Sequence, residues 1–162
     1  MDRPYVVGID IGGQSAKIGI VDTRGTVLSQ TAIKSNDTNS HVEFIENLCS
    51  AVEKLAEKAN IPMSKIRGIG IGAPNANYYT GTIENAVNLT FGGMKVIPFA
   101  DLMSERIGLP VRLTNDANAA AVGEMTYGAA RGMKNFITIT LGTGVGSGIV
   151  VGGYVLYGHD GF

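Results

Sequence analysis

The sequence contains very little of what defines several common protein classes. It has one cysteine, Cys49, in 162 residues, so neither a disulfide framework nor a cysteine-rich zinc site can form within it. It has no tryptophan, and 13 Lys and Arg against 14 Asp and Glu give a net charge of −1. A broad basic surface for nucleic acid or anionic membrane is therefore excluded. With 44% hydrophobic and 17% charged residues, intrinsic disorder is excluded too, and the length fits one domain or two small ones.

A long uninterrupted apolar run is also missing. The uncharged stretch 135–157 is long enough to span a bilayer, but it alternates Ile and Leu with Thr and is broken by glycines. This pattern predicts short strands joined by turns rather than a membrane helix. Because no secretory signal is visible at the N-terminus, we expect a soluble cytoplasmic protein that does not bind membranes.

Glycine is the residue in excess, with 23 copies, about twice the average usage. Two glycine turns stand between predicted strands: Gly12, Gly13, Gln14 and Ser15 form the first, and Gly142, Thr143 and Gly144 form the second. Glycine lets backbone N–H groups approach an anion, so two matched turns favour a polyphosphate site. The competing interpretation is that tight hairpins also favour glycine. Neither a Walker loop nor a dinucleotide fingerprint occurs.

Apolar periodicity predicts the element order β-β-β-α-β-α-β-α-β-β-β, with a small hairpin around Gly81. The predicted strands are 5–11, 16–21, 27–33, 66–72, 110–114, 136–141, 148–151 and 154–157, and the helices follow Ser40, Pro98 and Asn115. A three-strand meander that leads into alternating helices and strands is typical of an α/β fold. We therefore expect a mixed sheet with helices on both faces.

The last three predicted strands repeat the first three at a constant offset, 130 residues from Ile9 to Ile139. The matched pairs are Ile9 with Ile139, Ile11 with Leu141, Gly12 with Gly142, Ile20 with Val150, and Val21 with Val151. The chain thus begins the same sheet twice. We predict a small α/β domain over 1–116, and a bridging helix with the first strands of a second, incomplete domain over 117–162.

Local signals position the helices and suggest a role for further glycines. Ser40 and Glu43 form a capping-box pattern, and Asn115 and Asp116 cap an alanine-rich helix. Every second residue from 68 to 72 is glycine. We interpret these three glycines as one face of a strand beneath a closely packed helix.

Five motifs, in order, resemble those of the ROK family of sugar kinases and repressors. They are Asp10-Ile11-Gly12-Gly13, Gly72-Ala73-Pro74, residues 85–89, residues 115–121 and residues 141–146. Together they extend over essentially the whole chain. The resemblance implies the actin-like ATPase (ribonuclease H-like) fold with a mixed five-stranded sheet. It also implies an ATP-dependent, magnesium-requiring sugar kinase, often glucokinase-like and usually a homodimer.

The resemblance further implies roles for individual residues. The implied site consists of Asp10 on the magnesium side, the two glycine turns for phosphate, and Pro74, Asn88, Asn115 and Asp116 for the sugar, with Asp116 as catalytic base. Phosphoryl transfer depends mainly on positioning and charge stabilisation, so the base only has to accept the hydroxyl proton late. From the residues alone, Asp116 is equally explained as a helix cap, Asp10 as a polar strand end, and Asn88 as a turn residue.

The chain departs from the family pattern at three places. Gln14 stands where the family usually has Thr, which leaves a hydroxyl contact to Ser15, and Pro74 precedes Asn75 instead of Gly. The family's later sugar-contact Glu, its zinc motif and its adenosine pocket do not occur, so structural zinc is expected only in a missing C-terminal part. We expect little kinase activity from this chain alone, because an incomplete second domain cannot close over the site and exclude water. We also expect an exposed strand edge near the C-terminus that pairs between chains.

Two other functions remain open. A sugar-sensing repressor of the same family carries an N-terminal helix-turn-helix, for which a first strand at Tyr5 leaves no room, and no basic recognition helix is present. A non-catalytic sugar-binding module would keep the fold alone, although Asp10 and Asp116 are retained. The expected substrate is a hexose or an N-acetylhexosamine, and no nucleic-acid partner is expected.

Overall fold

The computed structural model describes residues 2–93, 95–142 and 144–162. The strands are β1 (Tyr5–Ile11), β2 (Ser15–Val21), β3 (Val27–Lys34), β4 (Ile66–Ala73), β5 (Ala76–Asn77), β6 (Thr82–Glu84), β7 (Val96–Ile97), β8 (Val111–Asn115), β9 (Phe136–Leu141), β10 (Val145–Val151) and β11 (Tyr154–Val155). The helices are α1 (His41–Lys58), α2 (Phe99–Ile107) and α3 (Asp116–Tyr127). The predicted order is confirmed, with β7 added and β10 starting three residues earlier than expected. No helix within the described ranges is long and apolar enough to cross a membrane.

The main sheet has five strands in the order β3-β2-β1-β4-β8. The first meander, β1 to β3, is antiparallel, whereas β1, β4 and β8 run parallel. The predicted mixed five-stranded sheet with flanking helices is therefore confirmed. Because parallel strands end at the same edge, the residues after β1, β4 and β8 meet at one side of the sheet.

One face of the main sheet forms the core with α1 and α2. Val7, Ile9 and Ile11 alternate with exposed residues along β1 and are buried. On α1, Phe44 and Leu48 are spaced four residues apart and are also fully buried. The period-2 pattern of the strand and the period near 3.6 of the helix thus pack against each other.

The N-terminus of α1 differs in one detail from the capping box expected there. The Ser40 hydroxyl accepts from the Glu43 N–H at 3.3 Å, as predicted. The Glu43 carboxylate, however, accepts from the Thr38 hydroxyl at 2.6 Å, and the Ser40 N–H donates to the same Thr38 oxygen at 3.0 Å. In a capping box the Glu43 carboxylate would accept from the Ser40 N–H. Here the Thr38 hydroxyl accepts from that N–H instead, because its short side chain reaches both Ser40 and Glu43.

The opposite face of the main sheet is an open groove of about 1000 Å³. Gly8 pairs directly with Gly19 on β2 and Gly70 on β4, which makes a row of three glycines across the sheet. A Cβ added to Gly8 or Gly70 would meet no atom within 4 Å. The glycine row is therefore a floor left uncovered by the described residues.

The interpretation that residues 68–72 lie beneath a helix is right only at the end of β4. A Cβ on Gly72 would lie 3.1 Å from the Ala119 Cβ of α3. At Gly68, the close neighbour is instead the carbonyl oxygen of Pro110, 2.8 Å away on the approach to β8. Because α3 touches only the end of the strand, Gly70 faces open space.

The second meander forms its own sheet in the order β11-β10-β9. Its inner face packs against α3 through glycine: a Cβ on Gly148 would lie 2.6 Å from the Ala117 carbonyl oxygen and 2.6 Å from the Ala121 Cβ. Its outer face is apolar and exposed, and we call it the outer patch; its members are Ile137, Ile139, Leu141, Val145 and Ile149.

The constant offset between the two meanders holds for their first strands and not for their second. The turn between Ile11 and its partner Ala16 has four residues, 12–15, whereas the turn between Leu141 and its partner Val145 has three, 142–144. The register of β10 on β9 therefore differs by one residue from the register of β2 on β1. The pairing partner of Val7 is Ile20, and that of the matching Ile137 is Ile149, not Val150.

A small third sheet, β5-β6-β7, holds the C-terminal segment. The buried Asn77 donates from Nδ2 to the Asp160 carbonyl at 2.9 Å, and the Tyr78 N–H donates to the Gly161 carbonyl at 2.8 Å. The Tyr78 and Tyr157 rings stack with their centroids 4.0 Å apart. The hairpin predicted around Gly81 thus exists and also fixes the course of residues 157–161.

Candidate functional site

The residues predicted for the site converge on the edge where β1, β4 and β8 end. Asp10 lies opposite Gly72, and Gly72 lies opposite Thr114. Because neighbouring strands are about 4.8 Å apart, the ends of β1 and β8 are separated by about 10 Å across β4. Asp10 and Asp116 therefore lie on the two sides of one shared edge.

Asp10 is exposed on the groove side of the main sheet. Its direct partner on β2 is Lys17, and both residues line the groove together with Arg112 and Thr114. An exposed carboxylate beside basic side chains can bind a cation, including a cation that accompanies a bound anion. Both the metal-side role and the polar strand-end interpretation fit this placement.

Asp116 is the first residue of α3, and Asn115 is its N-cap. The Ala117 N–H is shared between the Asn115 Oδ1 at 2.9 Å and the Asp116 Oδ1 at 2.8 Å. Asn115 therefore performs the capping function that the sequence allowed for either residue. The second carboxylate oxygen of the exposed Asp116 remains available at the sheet edge.

The first glycine turn is closed by a hydrogen bond from the Gly12 N–H to the Ser15 carbonyl at 2.9 Å. Among the residues that the structure describes, the N–H groups of Gly13 and Gln14 donate to no protein acceptor. Gln14 is exposed, and Gly13 and Ser15 are half-buried. The turn thus presents two adjacent backbone donors, the arrangement from which anion-binding concavities are built.

Gly13 brings the first glycine turn against the loop that carries Asn88. A Cβ on Gly13 would lie 2.9 Å from the Asn88 carbonyl oxygen, so only glycine allows this approach. The exposed Asn88 is held by its buried neighbours Leu89 and Phe91, and the Phe91 ring stacks on Phe44 at a centroid distance of 4.4 Å. The structure therefore unites two motifs that are 75 residues apart (88 − 13) in the chain.

Pro74 is half-buried directly after β4, and its neighbour explains one departure from the family pattern. Asn75 has a φ of 52°, in the left-handed region that favours glycine and that asparagine tolerates best among other residues. Its Nδ2 donates to the carbonyl of Glu84 at 3.0 Å and to that of Asn85 at 3.3 Å. Asparagine therefore supplies the backbone shape that glycine usually provides.

The second glycine turn follows β9. The Gly142 N–H donates to the Gly144 carbonyl at 2.9 Å, and both glycines are exposed. Thr143, predicted as part of the same phosphate site, lies outside the described residues. Because no described hydrogen bond joins this turn to the first one, a joint grip on phosphate by both turns stays a prediction.

The donor set fits a magnesium ion only as part of a phosphate complex. Within the described part of the chain, no three His, Cys, Asp or Glu side chains are grouped to hold a metal. Magnesium usually keeps several waters and binds one or two carboxylates plus substrate phosphates, so the single carboxylate of Asp10 is compatible with it. Cys49 is buried within the hydrophobic core and is not part of this site.

Two features of the site were missed by sequence reasoning. Ser35 and Thr90 were assigned no role from the sequence, yet both hydrogen-bond between loops of the site. Tyr157 was assigned to a strand and instead stacks on Tyr78, and burial raises the pKa of its phenol. A buried serine after a strand carries no sequence signal distinct from that of a solvated one, so only the fold reveals it.

Comparisons with known proteins agree with this geometry. The sequence model of the ROK family matches residues 6–162. The glucokinase of Halalkalibacterium halodurans is 40% identical over 161 residues, which are 99% of this chain and 48% of that protein. The xylose repressor of Caldicellulosiruptor bescii is 28% identical over 99% of this chain and 40% of its own length.

A solved structure confirms the actin-like fold that the motifs implied. The ROK family glucokinase from Streptomyces griseus, in complex with glucose and AMPPNP, superimposes with a TM-score of 0.83 at 34% identity. The match covers 97% of this chain and 47% of that structure. The chain thus spans about half the length of the glucokinases to which it is similar.

Proposed function

Because the chain belongs to the ROK family, we propose that it forms the N-terminal part of an ATP-dependent sugar kinase. The reaction would transfer the γ-phosphoryl group of ATP to a hydroxyl of a hexose, with glucose as the first sugar to test. A homodimer, and structural zinc outside this chain, are kept as predictions from the family resemblance.

One observation carries this proposal: the contact between Gly13 and the carbonyl of Asn88. It brings the loop assigned to the sugar against the turn assigned to phosphate, as a transfer between two bound molecules requires. A pair of ordinary tight hairpins would have no need of such a contact. Asp10 and Asp116 lie at the same edge, one on either side.

The nucleotide phosphates would bind to the N–H groups of Gly13 and Gln14. Asp10 would hold a magnesium ion through water, and that ion would neutralise charge on the transferred phosphoryl group. The residues 142–144 would complete the phosphate site from the second meander. Backbone donors preorganised by the turn cost no reorganisation when charge develops, which is how such sites stabilise a transition state.

The sugar would bind at the edge formed by Pro74, Asn88 and the start of α3. The Asn115 Oδ1 is occupied by the Ala117 N–H, so its amide NH₂ group is the part left to donate to a sugar hydroxyl. The Asp116 Oδ1 is likewise engaged, which leaves Oδ2 for the reacting hydroxyl. Both side chains are thus oriented by the first turn of the helix before a substrate arrives.

Asp116 would act as the base. The hydroxyl oxygen attacks the γ-phosphorus, its proton moves to the Asp116 Oδ2, and the bond from phosphorus to the bridging oxygen breaks. The electron pair of that bond stays on the leaving diphosphate. Because the transition state is loose, the proton is transferred late and most of the rate comes from orientation and charge stabilisation.

The test is phosphoryl transfer by the complete protein that carries this chain, with ATP and a panel of hexoses and N-acetylhexosamines. Asp116→Asn should lower kcat by at least about 100-fold, in the range expected for removal of a general base, while the unfolding midpoint stays unchanged. Asp101→Asn is the matched control, since Asp101 is also an exposed aspartate in the first turn of a helix, outside the site. An Asp116→Asn protein with parental turnover would overturn the assignment.

The similarity to a xylose repressor supports a second candidate, a sugar-binding regulator without transfer activity. Calorimetry with the same sugars separates the two. Sugar binding with no phosphate transfer to any hexose would favour the regulator, whereas transfer that depends on Asp116 favours the kinase. The 162-residue chain assayed alone is expected to turn over little, because a closed site is needed to exclude water.

A further inference from the structure

Ser35 is a buried polar residue that the proposed chemistry does not use. It is 0% exposed and directly follows β3. Its hydroxyl donates to the Gly12 carbonyl at 2.5 Å, and its N–H donates to the Gln14 carbonyl at 3.1 Å. Both acceptors belong to the first glycine turn, so one side chain and its own peptide hold two of the turn's carbonyls.

The hydrogen bond from the Ser35 hydroxyl to the Gly12 carbonyl determines the direction of a backbone donor. In a planar trans peptide the C=O and N–H vectors point in opposite directions. The Gly12 carbonyl and the Gly13 N–H belong to the same peptide. When Ser35 holds the carbonyl on the protein side, the Gly13 N–H is turned away from it, towards the position proposed for phosphate.

Thr90 connects Ser35 to the other loop of the site. Its hydroxyl donates to the Thr38 carbonyl at 2.7 Å and lies 3.3 Å from the Ser35 carbonyl. Thr90 comes two residues after Asn88, in the loop that touches Gly13. The two candidate substrate loops are thus joined directly at Gly13 and Asn88, and through Ser35 and Thr90.

We propose that Ser35 is a positioning residue for the phosphate turn, and that Thr90 couples the sugar-side loop to it. The inference rests on the proposed function and deepens it. A sugar that orders the loop around Asn88 also fixes Thr90, and through Ser35 it fixes the direction of the Gly13 N–H. By linkage, sugar and nucleotide then strengthen each other's binding by the same factor.

Ser35→Ala in the complete protein tests the positioning role by steady-state kinetics. It removes the donor and leaves a buried carbonyl unpaired, so the KM for ATP should rise about tenfold while the KM for sugar changes less than about twofold. Ser104→Ala on α2 is the matched control, because its hydroxyl also donates to a backbone carbonyl, that of Leu109 at 2.8 Å, and neither residue belongs to the candidate site. Equal effects of both variants on the two KM values would overturn the positioning role.

Thr90→Val tests the coupling without risk to the fold, since Thr90 is exposed and valine has the same shape. AMPPNP affinity is measured by calorimetry with and without saturating glucose. Glucose should tighten AMPPNP binding in the parent protein, and Thr90→Val should remove most of that gain, whereas Thr90→Ser should restore it. Thr126→Val, which loses a hydroxyl bonded to the Val122 carbonyl, should leave the gain unchanged. No gain in the parent protein would overturn the coupling.

A readout without turnover separates this inference from the proposed function. If the complete protein phosphorylates no sugar, the kinase proposal fails. The NMR signals of the Gly13 and Gln14 backbone amides in the ligand-free protein still test the positioning role of Ser35. Ser35→Ala and Thr90→Val should both shift these two signals more than Ser104→Ala and Thr126→Val do. Unchanged Gly13 and Gln14 signals would overturn the positioning role.

Discussion

The first and second meanders have similar sequences and opposite surroundings. In the first, Ile9 lies in the core and is 4% exposed; in the second, the matching Ile139 lies in the outer patch and is 63% exposed. The glycine face shows the reverse. Gly148 of the second meander is sealed beneath α3, whereas Gly19 of the first borders the open groove.

A strand pattern thus specifies two faces but not what covers them. Both meanders have one apolar face and one face on which glycines stand. The first has helices packed on its apolar face, and the second has a helix packed on its glycine face. The kind of face that is buried in one meander is therefore exposed in the other.

The largest effect expected from this difference is on stability at the matched isoleucines. Ile9→Ala should lower the free energy of unfolding by about 2–5 kcal/mol, because it removes a buried side chain and leaves a cavity. Ile139→Ala should change it by less than about 0.5 kcal/mol, as at an ordinary surface position. Urea unfolding followed by circular dichroism measures both. Equal losses would show that the outer patch is buried in solution.

The matched glycines should show the second largest effect. Gly148→Ala forces a methyl group against the Ala117 carbonyl, so it should destabilise by about 1–3 kcal/mol. At Gly19 the nearest side-chain atom to an added Cβ is 3.7 Å away, in Val27, so Gly19→Ala should stabilise by about 0.4–1 kcal/mol through a less flexible unfolded chain. Thermal denaturation compares the two variants. A tolerant Gly148→Ala would contradict the sealed contact with α3.

The outer patch should also bind an apolar dye. Contiguous exposed apolar faces of this kind mark interaction surfaces or sites of association. Ile139→Lys places a charge at the centre of the patch and should lower ANS fluorescence and concentration-dependent association, with no loss of helix content. Lys17→Ile on the open groove is the reverse change and should raise both. An unchanged dye signal in Ile139→Lys would show that the patch does not bind it.

The last effect concerns pH and is expected at α1, the helix that packs on the first meander. Burial raises the pKa of the Cys49 thiol from 9.0 to about 11. Between these values the folded protein keeps the proton that the unfolded chain loses, so the free energy of unfolding should fall as the pH rises from about 9 to 11. Cys49→Ala should flatten this slope in urea titrations at pH 8, 9, 10 and 11. An identical slope in both proteins would assign it to other groups.

Much of the architecture follows from local patterns. The apolar run over residues 5–11 predicted β1 correctly, and the Asn115 cap correctly marked the start of α3. The turn length of the second meander was not predictable, because a glycine-rich string has no residue that marks where pairing resumes. Strand β10 therefore began at Val145 instead of Gly148.

The site was predictable as a set of residues and not as a set of contacts. Asp10 and Asp116 were both identified by their motifs, and the structure brings them to one edge because β1 and β8 are parallel. The contact of Gly13 with Asn88 and the burial of Ser35 depend on how distant segments pack. No local pattern encodes such pairs.

In the second meander pairing resumes one residue earlier at an unchanged sequence offset, and this has a consequence for anyone recombining the two halves. Consider a chimera in which β2 replaces β10 residue for residue at the offset of 130. Every side chain of the grafted strand would point to the opposite face of the sheet, because faces alternate with each residue. Ile18 of the grafted strand would then lie where Gly148 contacts α3. The junction must therefore be moved by one codon, because the length of the turn decides which face of the sheet each following side chain occupies.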